Sequence, residues 1–163
     1  QKDSLVTAIK TKVQKSLIGV EGDGLTIEQR NGKIYISLEE DLLFASGKYV
    51  VNQSGVEALN KLSQALASQI DLEILVEGHT DNVKGSGKGI IKDNWDLSVM
   101  RATSVVNILL NNKGLDPLQL TAAGRGEHNP IATNETVEGR KMNRRIDMIL
   151  SPNLDDLYEI LEE

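Results

Sequence analysis

In the stretch "LEILVEGHTDN", residues 72–82, Leu72, Ile74 and Val76 alternate with Glu73 and Glu77. An alternation of period two puts the apolar side chains on one face of a strand and the carboxylates on the other. The pattern recurs in Ile34/Ile36/Leu38 beside Lys33, in Leu118/Leu120/Ala122 beside Gln119, and in Ile146/Met148/Leu150 beside Arg145 and Asp147. A sheet covered by helices on both sides would be apolar on both faces. These strands are half wet. They predict an α/β (α+β) fold, a two-layer sandwich in which helices cover one face of a mixed four-stranded sheet.

Two segments supply the covering layer. Residues 53–69 carry Val56, Leu59, Leu62 and Leu66 at helical spacing, and residues 95–112 carry Val99, Ala102, Val105, Val106 and Leu109, with Gly114 as a stop. Leu5, Ile9, Val13 and Leu17 predict a helix over 4–18, either docked on the domain or the end of a longer one. Leu25 and Ile27, followed by Asn31-Gly32 and Ile34, read as a hairpin with a type I′ turn. Leu154, Leu157 and Leu161 predict a terminal helix over Asn153–Glu162. We therefore divide the chain into a helix and hairpin extension (1–33), a main domain (34–151) and a C-terminal helix (152–163). Lys84 to Gly89 reads as a surface loop.

The chain has 163 residues, 39% hydrophobic, with a net charge of −6 that disfavours nucleic acid as a partner. No apolar run is long enough to cross a bilayer. The chain begins at Gln1 without Met or a signal peptide, which reads as a trimmed mature fragment. With no cysteine there is neither a disulfide nor a thiolate metal site.

A nucleophilic enzyme would need His79 or His128 as base, with Asp81 and Ser86 or Ser98, but no Gly-x-Ser-x-Gly elbow is present. His79 reads instead as a packed residue bonding its own loop. Two distant histidines make no zinc signature, and residues 81–96 lack the alternation of a calcium loop. No metal or cofactor is expected. Gly124-Arg125-Gly126 reads as a strand end and Asn134-Glu135-Thr136 as a turn or helix start. The pair Asp81 and Arg101 carries more chemistry. Asp81 ends a strand and Arg101 stands in the second turn of the helix that follows, so the two could hold a zwitterion, the carboxylate on the ammonium and the guanidinium on the carboxylate. Direct pairing of the two with each other remains the equal alternative.

Four motifs in order, "LLFASGKYVVNQSG" (42–55), "EGHTDNV" (77–83), "NWDLSVMRATSVVNIL" (94–109) and "AAGRGEHNPIATNETVEGRKMNRRIDMIL" (122–150), resemble the OmpA C-terminal-like domain family. Its members include the peptidoglycan-associated lipoproteins and the flagellar stator protein MotB, and the wording leans to the MotB-like branch. The resemblance covers about residues 34–151. It implies a βαβαβ-type fold and a noncatalytic module that binds peptidoglycan through the diaminopimelate of its stem peptide. By the same resemblance the ligand residues would be Asp81, Arg101, Asn94, Leu97 and Arg144, with backbone groups near Ser46 and Gly47 as a wall. It further implies a periplasmic protein tethered to the outer membrane or another part of the envelope by an upstream segment. The departure is the inserted "VKGSGKGIIKD" (83–93). The rival reading is a protein–protein assembly module of an envelope or motor complex. Homodimerisation through residues 4–18 is left open.

Overall fold

Residues 2–18, 24–67, 72–85, 87–111 and 114–152 are described by the structure, a computed structural model. The helix expected over Asn153–Glu162 lies outside them, and so does Ser86. Strands β1 (Leu25–Arg30), β2 (Lys33–Glu39), β3 (Leu72–His79), β4 (Leu120–Gly124) and β5 (Arg145–Pro152) form one sheet in the order β1-β2-β5-β3-β4. The β3–β4 pair is parallel and the other neighbours are antiparallel.

The sheet therefore has five strands, one more than expected. The hairpin assigned to the N-terminal extension continues the sheet, with β1 paired to β2 from Leu25↔Leu38 to Arg30↔Lys33. Its turn explains why. Asn31 and Gly32 both take positive φ, 52° and 73°, and a turn of this hand matches the twist of the strands it joins.

Helices α1 (Lys2–Ser16), α3 (Gln53–Ala67) and α4 (Asn94–Leu109) cover the apolar face, and short helices α2 (Glu40–Leu43) and α5 (Val137–Asn143) flank the ends of the strands. The core interleaves Ile34, Ile36, Leu38, Ile74, Val76, Met148 and Leu150 from the sheet with Leu59, Leu62, Val105 and Leu109 from the helices. The first helix is docked: Val6, Ile9, Val13 and Leu17 are buried. Leu5, expected on this face, is exposed. A four-residue step overshoots the helical repeat by about 40°, so Leu5 has rotated off the stripe and Val6 replaces it. Among the described residues, no helix is long and apolar enough to cross a membrane.

Four other expectations fail locally. Leu118 is 93% exposed because Asp116 and Gln119 close a capping box around the 3-10 turn Pro117–Gln119, which delays the strand to Leu120. Ala122 lies on the edge strand and is exposed, and so is Val99 on α4. Arg145, assigned to the wet face, is buried. It donates to the carbonyls of Asn129 and Asn143 and to Asp147, because the segment after β4 folds over this end of the sheet.

Two glycines set the height of α4 above the sheet. Gly78 and Gly124 are neighbours across the β3–β4 pair. A Cβ on Gly78 would stand 2.0 Å from the Ser98 carbonyl oxygen, and one on Gly124 would stand 2.4 Å from Val99 Cγ2. The helix start can descend onto the strand ends only because both positions lack a side chain. Gly78→Ala must push backbone against backbone, so we expect a loss of about 2–3 kcal/mol in chemical denaturation. An unchanged midpoint would show that α4 is not seated this way.

Candidate ligand-binding site

The descent of α4 brings its first turns beside the end of β3. Asp93 caps the helix by accepting the amide of Asp96 at 2.9 Å. Asn94 then donates through Nδ2 to the carbonyls of Asp81 and Val83, both at 3.2 Å, which ties the inserted loop to the helix start. Asp81 is nearly buried. Its Oδ1 accepts the Val83 amide at 3.0 Å and its Oδ2 accepts Arg144 Nη1 at 2.9 Å.

Arg101 does not pair with Asp81. Arg101 is 3% exposed, and its guanidinium donates from Nη2 to Glu40 Oε1 at 2.8 Å and from Nε to the Lys48 carbonyl at 2.7 Å, while its Cζ lies 4.8 Å from the centre of the Phe44 ring. Glu40 also bonds Arg144 through its other oxygen. The result is one alternating chain of charge, Asp81–Arg144–Glu40–Arg101, two carboxylates and two guanidiniums that neutralise each other. Burial works against the charge on Arg144. Its hydrogen bond to Asp81 and the charge of Glu40 outweigh that, and its guanidinium is held charged more firmly than in water.

These residues line a cleft of about 440 Å³ together with Ser46, Gly47, Lys84, Leu97 and Arg140. All five residues expected at the site, Asp81, Asn94, Leu97, Arg101 and Arg144, reach this one cleft. Sequence reasoning missed Glu40, the acid that joins the two arginines. A signal was present, since Glu40 continues the inward phase of Ile34, Ile36 and Leu38 at the end of β2. It also missed Asn143. This fully buried amide accepts the amides of Ile131 and Ala132 and donates to Ala132 and Asn134, fixing the loop behind Arg144.

His79 points away from the cleft. It is packed as expected but does not bond its own loop: Nε2 lies 3.4 Å from Glu77 Oε1 and 3.5 Å from Asp147 Oδ2, too poorly aligned for a hydrogen bond to either. These three residues could face a cation. However, Arg145 Nε already sits 3.0 Å from the same Asp147 oxygen and Arg125 Nε 3.7 Å from Glu77, so cationic side chains fill that role. The contact with His79 is the main influence lowering the Glu77 pKa. Burial opposes it, and Arg125 and Arg145 reinforce it. A carboxyl whose folded pKa is depressed contributes stability above its unfolded pKa and loses it as pH falls through the folded value. Melting of the wild type should therefore fall more steeply below the ordinary carboxylate range than melting of Glu77→Gln. Parallel curves from neutral to acid pH would contradict this.

The Ser98 hydroxyl is held by backbone groups. It donates to the Trp95 carbonyl and accepts the Gly126 amide, while His128 stacks on Trp95 at 5.0 Å. Thr136 caps α5 by accepting the Gly139 amide, in keeping with a helix-start role for the Asn134-Glu135-Thr136 triplet.

Comparison with known proteins agrees with this geometry. The chain is 36% identical to Motility protein B of Bacillus subtilis over 121 residues, 73% of this chain and 45% of that protein. It spans about half the length of the curated relatives it matches, 57% of Helicobacter pylori Motility protein B. A MotB-like protein from Desulfovibrio vulgaris superposes with a TM-score of 0.82 at 28% identity, covering 93% of this chain and 98% of that one. The cell wall anchor of the T6SS from Pseudomonas aeruginosa superposes at 0.77 and 29% identity, covering 86% and 96%. The domain is a binding module, not an enzyme. The OmpA family profile matches residues 43–144, and the chain, with its MotB-like fold, belongs to the OmpA family.

Proposed function

We propose that the cleft binds peptidoglycan noncovalently, through the diaminopimelate of its stem peptide, and so anchors an envelope protein to the cell wall. The observation that supports this best is the neutral charge chain Asp81–Arg144–Glu40–Arg101 lining an open cleft. A ligand end that carries both an ammonium and a carboxylate can join such a chain without leaving a charge unmatched. Asp81 takes the ammonium on the lone pairs left by Arg144 and Val83, and the guanidiniums take the carboxylate. Asn94 holds the loop and Leu97 gives apolar contact. The likeness to a cell wall anchor supports the same reading. We place the protein on the periplasmic side of the envelope, tethered through an upstream segment, with residues 34–151 as the binding unit.

Pull-down on purified sacculi, with soluble diaminopimelate peptide as competitor, tests the proposal. We expect co-sedimentation that the peptide releases. Retention of assembly partners without sacculus binding would favour the rival protein–protein role. Leu97→Ala removes contact area alone and should weaken peptide binding by about 1 kcal/mol in the same competition.

A further inference from the structure

A second cavity of about 420 Å³ opens beside the Asp81 cleft, and the two share Gly47, Gly85, Asn94 and Leu97, so they form one continuous trough. One wall of the second cavity carries Lys48 and Tyr49 and the other carries Lys88 and Lys92 of the inserted segment. Both walls are held from α4. The carbonyls of Lys48 and Tyr49 accept Arg101 Nε and Ser104 Oγ at 2.7 and 2.6 Å. On the opposite side Asp96 accepts the Lys92 amide at 2.9 Å and Asn94 donates to the Val83 carbonyl, pinning the inserted segment where it leaves β3 and where it meets the helix. Gly87 and Gly89, with φ of 70° and 79°, turn the segment back between these points.

The charge here runs against the rest of the molecule. A chain of net charge −6 brings Lys48 and Lys92 to opposite walls of this cavity, where Asp93 is the carboxylate among the lining residues. One oxygen of Asp93, Oδ1, is turned to the helix start, where it accepts the Asp96 amide. Such a wall attracts an anion, and its continuity with the Asp81 cleft restricts the anion to one attached to whatever occupies that cleft.

We propose that this cavity is a second subsite, taking a further carboxylate of the same peptide ligand close to the zwitterionic end held at Asp81. The proposal rests on the peptide-binding reading of the first cleft. It assigns the inserted segment a role in choosing among stem peptides, with preference for those whose neighbouring carboxylate is free over those in which it is amidated.

Calorimetric titration of the full chain with two synthetic peptides tests it. Both carry diaminopimelate, and they differ only in a neighbouring group, free acid in one and carboxamide in the other. The wild type should prefer the acid by roughly fivefold, the scale of exposed charge pairs, and the preference should fade at high salt. In the K48Q/K92Q double variant the ratio of the two dissociation constants should fall to about one. Equal binding of both peptides by the wild type, or an undiminished preference in the variant, overturns the second subsite and leaves the first cleft standing. Failure of the wild type to bind either peptide overturns both.

Discussion

Asp81→Ala should lose about 2–5 kcal/mol of affinity for a diaminopimelate peptide, a factor of roughly thirty to several thousand, while remaining folded. The two halves of this expectation have separate causes. In the complex Asp81 is the carboxylate that faces the ligand ammonium, and removing it leaves that ammonium among Lys84, Arg101, Arg140 and Arg144, with Asp41 and a Glu40 whose two oxygens are already engaged by Arg101 and Arg144. In the free protein its loss matters less. Arg144 is 28% exposed and keeps Glu40 as a partner, so the stability cost should stay near 1 kcal/mol. A variant that loses stability without losing affinity would mean that Asp81 is a turn residue and a surface partner of Arg144.

Glu40→Gln should give the opposite balance, a stability loss of about 3–5 kcal/mol measured by denaturant. The Glu40 side chain is 6% exposed and the Arg101 side chain facing it 4%. Glutamine keeps the shape and one acceptor, but it removes the negative charge between two guanidiniums and offers an amide where Arg144 Nε needs an acceptor. Arg101 would keep the Lys48 carbonyl and the Phe44 ring without a counter-charge. Arg101→Lys should also bind ligand poorly, because an ammonium cannot serve Glu40, the Lys48 carbonyl and a ligand carboxylate with one planar fork. A Glu40→Gln protein as stable as the wild type would show that the buried charge chain is not a structural requirement.

What the sequence disclosed followed the range of each interaction. The four period-two segments revealed the layer order because burial of one face is written locally, residue by residue. The I′ turn was equally local at Asn31-Gly32, yet its consequence, a fifth strand in the same sheet, depends on pairing with β2 and was read as an extension. Leu118 misled because an Asp-Pro cap outcompetes an apolar alternation of three residues. Arg145 misled for the reverse reason: what covers it is sequence-distant, the segment that crosses from β4 to α5 and supplies the Asn129 carbonyl.

The site shows the same division. Asp81 and Arg101 could be placed at one rim from chain order, but their partners could not. Asp81 meets Arg144 across 63 positions and Arg101 meets Glu40 across 61, so only the fold shows that Asp81 and Arg101 do not pair with each other. Glu40 sits in an acidic run that reads as solvated, and only its phase relative to Ile36 and Leu38 betrays that it turns inward.

The zwitterion requirement is tested most directly on the ligand. Wild-type protein is titrated calorimetrically with a diaminopimelate stem peptide and with the same peptide acetylated on the diaminopimelate side-chain amine. The account predicts saturable binding of the free amine and a loss of about 2–5 kcal/mol on acetylation, which removes the charge that Asp81 meets. Equal affinity for the two peptides would contradict it.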